Sequence, residues 1–286
     1  MDAVEAALAS GQSSVNVAVQ RLSLPDNVQM TNGGTGPYNG SLLLITSGRG
    51  SLPPSLVLVN PRSPYNTTVL LNNYYGRQFN SLNDGKIHPS GKIFFTDAPY
   101  GNVLGFRPAP AMPNQVYRFD PVTKDVRVVA GDFTICQWHC VRFCRNYRIC
   151  VGRLVAPPNW QTDLNMFLLS HRSDTGSTGG STRPSSIYAF DVDPITHAFT
   201  NRRIFAYSDT GIPDGLQVDA QGNVYSGADD GVHVWNSRGT LLGKFVTGQV
   251  SANMAFAGDG RLVILAETKV FVAKIAAKPS SVVYPR

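Results

Sequence analysis

Apolar and polar residues alternate along this chain in short runs that are separated by turn residues. The runs are four to seven residues long and recur from the first third of the chain to its end: Ser41–Ser47, Ser55–Asn60, Lys92–Thr96, Gln115–Phe119, Val126–Ala130, Ser186–Asp191, Arg203–Ala206, Gly231–Trp235, Leu241–Val246 and Val270–Lys274. Turn pairs such as Asp120-Pro121, Asp193-Pro194 and Asp259-Gly260 lie between them. Alternation with period two predicts β-strands. Because no helical pattern separates the runs, the chain is predicted to be an all-β propeller or sandwich rather than a set of βαβ units.

One short unit comes back three times, with copies that open at Asn83, Asp214 and Asn253. Each copy has a polar Asn or Asp, a short alternating strand, a turn that contains glycine and a second alternating strand. The turn glycines Gly222 and Gly260 lie 38 residues apart, which is the size of a propeller blade. If the copies are blades around an axis, their Asn and Asp residues converge on one mouth.

Another copy is expected shortly after Phe133, but residues 134–172 differ from the rest of the chain. This segment holds all four cysteines and has five arginines against one acidic residue. Cysteine and histidine are zinc ligands, and the segment offers Cys136, His139, Cys140, Cys144 and Cys150. Their spacing departs from the paired C-x2-C pattern of tetrahedral zinc sites. The spacing also gives no indication of structural disulfides.

The genetic code offers a further interpretation of residues 134–172. If the reading frame is shifted by one base inside the Cys136 codon, the codons of Trp138 and His139 force a glycine. The shifted frame then permits Ala-Asn-Gly-Ile-Ala-Phe, which is the opener of the expected copy. We therefore hypothesise a frame-shifted or mis-spliced segment, with a divergent surface insertion as the alternative. The transcript sequence across the segment would decide between them.

Composition narrows the class of protein. The chain has 286 residues, 42% of them hydrophobic, and is predicted to form a single, monomeric domain over residues 1–286. Its net charge of +6 is concentrated in residues 134–172, so binding to nucleic acid is not expected. No apolar run approaches the length of a membrane span, so no membrane association is expected. The first residues, Met1–Glu5, lack the features of a signal peptide, and the localisation is left open.

With these residues in view, the chain resembles the SMP-30/gluconolactonase/LRE-like family, and most closely its fungal lactonase-like members. The resemblance covers roughly residues 15–133 and 173–275. It is carried by the following blocks: Phe79–Asp84, Phe94–Gly101, Gln115–Pro121, Thr182–Asp191, Asn201–Arg203, Gly211–Gly215, Tyr225–Gly227 and Gly231–Trp235. It implies a six-bladed β-propeller that carries one divalent cation at its central mouth and hydrolyses a small-molecule lactone.

The resemblance also implies roles for the repeated residues. The cation would be Ca²⁺, with Zn²⁺ or Mg²⁺ as alternatives. Asp214 would be the metal-bound catalytic carboxylate, Asn83 a metal ligand or substrate contact, and Asp84 its supporting neighbour. Asn253 is interpreted as structural. The alternative for both motifs is a turn, because Pro-Asp-Gly and Asn-Asp-Gly are common turn sequences. The histidines show no nucleophile–base spacing, and His233 is interpreted as a strand residue.

Two motifs of the family's metal site are not found in the sequence. One is a Glu in a Glu-Gly-Pro context near the start, which Glu5 does not match, and the other is an Asn from a Pro-Asn-Gly unit. We therefore expect an incomplete first blade and a middle blade disrupted at residues 134–172. Two functions remain open. One is a calcium-dependent lactone hydrolase; the alternative is a non-catalytic propeller, either a decayed enzyme or a binding module.

Overall fold

The computed structural model describes residues 2–133, 135–142, 165–172, 185–258 and 260–280, with the backbone alone in 135–142 and 165–172. Among these residues, strands dominate. Helix is confined to α1 (Asp2–Ser10), α2 (Tyr100–Val103) and a 3-10 turn at Asp26–Val28. Four of the strands predicted from alternation are reproduced end to end, namely Gln115–Phe119, Val126–Ala130, Gly231–Trp235 and Leu241–Val246.

The described strands form five antiparallel sheets that follow one another along the chain, and in each sheet the strands pair in chain order. The first sheet comprises β1 (Thr31–Tyr38), β2 (Ser41–Thr46), β3 (Ser55–Val59) and β4 (Thr67–Leu71), and it is followed by a small hairpin of β5 (Asn73–Tyr74) and β6 (Arg77–Gln78). The second sheet comprises β7 (Leu82–Ile87), β8 (Ile93–Asp97), β9 (Gln115–Phe119) and β10 (Val126–Ala130). The third comprises β11 (Ile135–Arg142), β12 (Asn165–Arg172), β13 (Ser186–Val192) and β14 (Phe199–Tyr207). The fourth comprises β15 (Leu216–Val218), β16 (Val224–Ala228), β17 (Gly231–Trp235) and β18 (Leu241–Val246), and the fifth β19 (Ser251–Phe256), β20 (Arg261–Ala266) and β21 (Lys269–Lys274).

This architecture is all-β and propeller-like. The first strands of neighbouring sheets contact one another, β1 with β7, β7 with β11, β11 with β15 and β15 with β19. Each sheet therefore begins with its innermost strand. The described residues account for four four-stranded sheets and one three-stranded sheet, so six blades remain a prediction.

The first described sheet has all four strands, and because the number of blades remains a prediction, so does the expectation of an incomplete first blade. Its innermost strand, Thr31–Tyr38, was not predicted because its sequence TNGGTGPY has no alternation. It nevertheless forms a strand, because residues between Thr31 and Tyr38 pair with β2. The sheet with three strands is the last one, at the other end of the described chain.

The middle blade, expected to be disrupted, has four strands, and two of them come from residues 134–172. The backbone of β11 occupies the innermost position, where the missing copy of the repeat was expected, and pairs with β12. The residues that join these two strands lie outside the described residues, as do Cys144 and Cys150. The zinc, frame-shift and insertion interpretations of this segment all remain predictions.

The core consists of buried clusters between neighbouring sheets. Because successive side chains of a strand point to opposite faces, one strand serves two interfaces. Phe95 of β8 packs in the cluster shared with the first sheet, whereas its neighbour Phe94 packs in the cluster shared with the third. Val224 and Tyr225 of β16 divide in the same way between the third and fifth sheets. Apolar residues at consecutive positions of β8 and β16 are therefore both buried.

Candidate active site

The starts of the innermost strands contact each other in two pairs of neighbouring sheets. In the first two sheets, Asn32 Nδ2 of β1 donates a hydrogen bond to the backbone carbonyl of Asn83 in β7 at 3.0 Å. In the last two, the N–H of Gly215, just before β15, donates to the carbonyl of Ala252 in β19 at 2.7 Å. Asn83 and Asp214 thus each lie at the start of an innermost strand, in the second and fourth sheets, and their convergence on one mouth remains a prediction.

Irregular pairing marks these strand starts. In four of the described sheets the register between the innermost strand and its neighbour shifts near the start, between Thr31 and Gly33, Leu82 and Gly85, Cys136 and His139, and Ser251 and Asn253. Such β-bulges occur next to active sites, where they change the direction of side chains. Asn83 and Asp84 lie within the second of these bulges, inside a strand. The interpretation of Asn83-Asp84 as a hairpin turn is therefore wrong.

Asn83 and Asp84 present buried oxygens. Only 4% of Asn83 and 2% of Asp84 is exposed, and within the described structure neither Oδ1 atom has a hydrogen-bond partner. Burial raises the pKa of the Asp84 carboxyl to about 6, although Lys86 and the N–H of Gly85 oppose the shift. A buried acceptor without a donor costs about 1–3 kcal/mol. Two adjacent ones point to a ligand that supplies positive charge or donors.

The segment before β7 is held by Asp97, the last residue of β8. Its fully buried carboxylate accepts the N–H of Asn80 at 2.9 Å and that of Ser81 at 2.7 Å. The Asn80 side chain in turn donates to the carbonyl of Met112 at 2.8 Å. Arg107 adds a hydrogen bond from Nε to the Asn80 carbonyl at 3.2 Å. The segment that precedes Asn83 is therefore held by residues that follow Asn83 by 14 or more positions in the chain.

Asp214 is half-buried and lies two residues before β15, with the chain bending at Gly215, so the interpretation of Pro213-Asp214-Gly215 as a turn remains a prediction. Its N–H donates to the carbonyl of Gly227 at 2.9 Å, and Ser226 Oγ donates to its carbonyl at 3.3 Å. The backbone of Asp214 is therefore fixed to β16. Asn253 is placed at the corresponding start of β19, where its Oδ1 accepts the N–H of Met254 at 2.8 Å.

The described residues contain no group of three or more His, Cys, Asp or Glu side chains that could hold a metal ion. A hard cation at this mouth would therefore need amide oxygens as well as carboxylates. Asn83, Asp84 and Asp214 are such oxygen donors. The buried, unsatisfied oxygens of Asn83 and Asp84 fit a cation of this kind.

The comparisons with known proteins agree with this arrangement. A family model described as SMP-30/Gluconolactonase/LRE-like region matches residues 171–267. Lactonohydrolase oryL of Aspergillus oryzae is 32% identical over 223 residues, which cover 78% of this chain and 50% of that protein. The gluconolactonase of Zymomonas mobilis is 27% identical over 210 residues, which cover 69% of this chain and 51% of that protein. The chain belongs to the SMP-30/gluconolactonase/LRE-like family.

A solved structure of a related protein supports this family assignment. A gluconolactonase from Xanthomonas campestris superimposes with a TM-score of 0.65 at 25% identity, over 85% of this chain and 71% of that one. The chain spans about half the length of the curated relatives it matches. In the described part of this SMP-30/gluconolactonase/LRE-like chain, no helix is long and apolar enough to cross a membrane.

Sequence reasoning missed two features of this SMP-30/gluconolactonase/LRE-like protein. One is Asn32, 51 residues before Asn83, which a search for every Asn-Gly or Asp-Gly pair would have found. The other is a polar cluster around His233, which is fully buried and bonded to Asp230 and Thr210. Asp230 lies only three residues before His233, but Thr210 comes from a segment more than twenty residues earlier, so no local pattern indicates the whole cluster.

Proposed function

We propose that this protein hydrolyses a small-molecule lactone to the corresponding hydroxy acid with the help of one divalent cation, Ca²⁺. The observation that carries the proposal is the pair of buried oxygens, Asn83 Oδ1 and Asp84 Oδ1, which have no donor in the described structure. They lie at the start of the innermost strand of the second sheet, in a chain whose sequence relatives are named lactonohydrolase and gluconolactonase.

The roles of the residues follow from their chemistry. Asn83 and Asp214 would hold the cation, with Asp84 beside them. The cation, when bound, supplies polarisation of the lactone carbonyl. The carboxylate of Asp214 accepts the proton of the attacking water, since it is half-buried at the entry to an innermost strand and its backbone is fixed to β16. Asn83 binds the cation or the substrate through its amide oxygen.

The test combines metal binding with catalysis. Calcium binding to the metal-free protein is measured by calorimetry, and hydrolysis of glucono-δ-lactone by pH-stat. We expect Asp214→Asn to abolish both, because it removes the negative charge and the base. Asp193→Asn is the matched control, since Asp193 accepts N–H groups in an exposed turn of the third sheet and should leave both unchanged.

The alternative is a non-catalytic propeller. It is favoured by the two family ligands that the sequence does not show, the Glu of a Glu-Gly-Pro motif and the Asn of a Pro-Asn-Gly motif. If the wild-type protein neither binds calcium nor hydrolyses the lactone, the enzyme proposal fails and this alternative stands.

A further inference from the structure

Asn32 of the first sheet contacts Asn83 of the second sheet, which is one of the residues of the proposed site. Its side chain is exposed at the start of β1, and its Nδ2 donates to the main-chain carbonyl of Asn83 at 3.0 Å. That carbonyl lies in the bulge where the register between β7 and β8 shifts, between Leu82 and Gly85. A side chain of the first sheet thus takes part in fixing a peptide group whose regular ladder pairing is interrupted.

The first sheet also contacts the residues on either side of Asn83. Ser47, just after β2, donates from Oγ to the carbonyl of Leu82 at 2.9 Å. Gly33 lies against Asp84, since a Cβ on Gly33 would lie 2.3 Å from Asp84 Oδ1 and 2.8 Å from Asp84 Cα. Three successive residues of β7 are therefore placed by β1 and by the end of β2.

We propose that Asn32 is a positioning residue, which sets the direction of the Asn83 and Asp84 side chains by holding the peptide group between them. The proposal rests on the proposed function, in which these side chains form part of the cation site. Asn32 acts through its N–H donor. The alternative role, direct ligation of the cation through Asn32 Oδ1, requires only the oxygen.

Two substitutions separate these roles. Asn32→Ala removes both the donor and the oxygen, whereas Asn32→Asp keeps the size and the oxygen but removes the donor. For a positioning residue, calcium affinity should fall by about 10- to 100-fold in both variants, the effect usual for residues that orient a metal ligand. For a direct ligand, Asn32→Asp should bind calcium as tightly as the wild type or more tightly, and this result would overturn the proposal.

A matched control accounts for the added charge. Asn39 is exposed in the turn at the other end of β1, and it has a positive φ that Asp tolerates. Asn39→Asp should bind calcium like the wild type. A second pair tests the contact with Asp84: Gly33→Ala should weaken calcium binding, whereas Gly34→Ala should not, because its Cβ would lie 3.3 Å from the flexible end of Leu44.

Hydrogen exchange in the metal-free protein tests the positioning without reference to activity. Loss of the Asn32 hydrogen bond should speed amide exchange in residues 82–86 about fivefold in Asn32→Ala and Asn32→Asp, with the melting temperature little changed. If the wild type binds no calcium, the proposed function fails, and exchange alone decides the role of Asn32. Unchanged exchange in both variants would refute that role.

Discussion

His233 Nε2 in β17 lies 2.7 Å from Oδ1 of Asp230, the residue just before that strand. The imidazole is fully buried and connects the hairpin of β16 and β17 to the segment that leads to Asp214. On the segment side, Thr210 Oγ1 lies 3.1 Å from Nε2, and Ser208 Oγ lies 3.3 Å from Nδ1. The cluster therefore anchors residues that immediately precede the proposed catalytic carboxylate.

Replacement of His233 by leucine should lower the free energy of unfolding by about 2 kcal/mol, because Asp230, Thr210 and Ser208 lose a buried hydrogen-bond partner. It should also weaken calcium binding, since the segment before Asp214 loosens. Urea unfolding and calorimetry measure the two effects.

The control for His233→Leu is Lys244→Met on the outer side of the same cluster. Lys244 Nζ contacts Asp209 at 2.6 Å and Asp230 at 3.2 Å, but the Asp209 side chain is 60% exposed. Exposed ion pairs contribute at most about 1 kcal/mol. If both variants lose equal stability, the buried imidazole is not the anchor.

The buried side chain of His88 should make the folding stability of the protein depend on pH. Burial above all, and then the charges of His197 and Lys92, lower the pKa of His88 from 6.5 to about 3. Its Nδ1 accepts the N–H of Ser90 at 3.0 Å, which suits a neutral ring. Below pH 6.5 the unfolded chain takes up a proton that the folded protein does not. The contribution of His88 to stability is therefore constant above that pH and is lost as the pH falls towards 3, with a slope of at most about 1.4 kcal/mol per pH unit.

The measurement is urea unfolding over this pH range for the wild type and for His88→Gln. The variant should show a shallower loss of stability on acidification, because glutamine does not titrate. An identical pH dependence in the two proteins would contradict the prediction.

The residues also show what local sequence can and cannot predict. Alternation is a local property, so strands such as Gln115–Phe119 were predicted end to end, and the repeat placed Asn83 and Asp214 at strand starts. The strand that contains Asn32 was missed because its glycines and proline hide it, and only pairing with β2 makes it a strand. The burial of Asp84 depends on contact with Gly33, about fifty residues away, which no pattern around Asp84 records.

Asp97 should be among the most sensitive carboxylates for stability. Asp97→Ala leaves the N–H groups of Asn80 and Ser81 buried without an acceptor, at a cost of about 3 kcal/mol or more. Asp193→Ala is the comparison, because Asp193 accepts two backbone N–H groups, of Ile195 and Thr196, where water can replace it. Its loss should cost about 1 kcal/mol. Equal losses in chemical denaturation would mean that burial does not set the difference.

Gly227 lies where the fourth and fifth sheets are in close backbone contact. A Cβ at this position would lie 1.9 Å from the carbonyl oxygen of Ser251, the first residue of β19. Because the obstacle is backbone, Gly227→Ala must push the two sheets apart and should lower the free energy of unfolding by about 2 kcal/mol or more. The same shift disturbs Asp214, whose N–H donates to the Gly227 carbonyl, so calcium binding should weaken as well.

Gly243→Ala in β18 is the matched control: nothing lies within 4 Å of its Cβ, and replacing a strand glycine by alanine should gain roughly 0.5–1 kcal/mol. If denaturant unfolding gives the two alanine variants the same stability, the sheets tolerate a wider separation than the Ser251 contact requires.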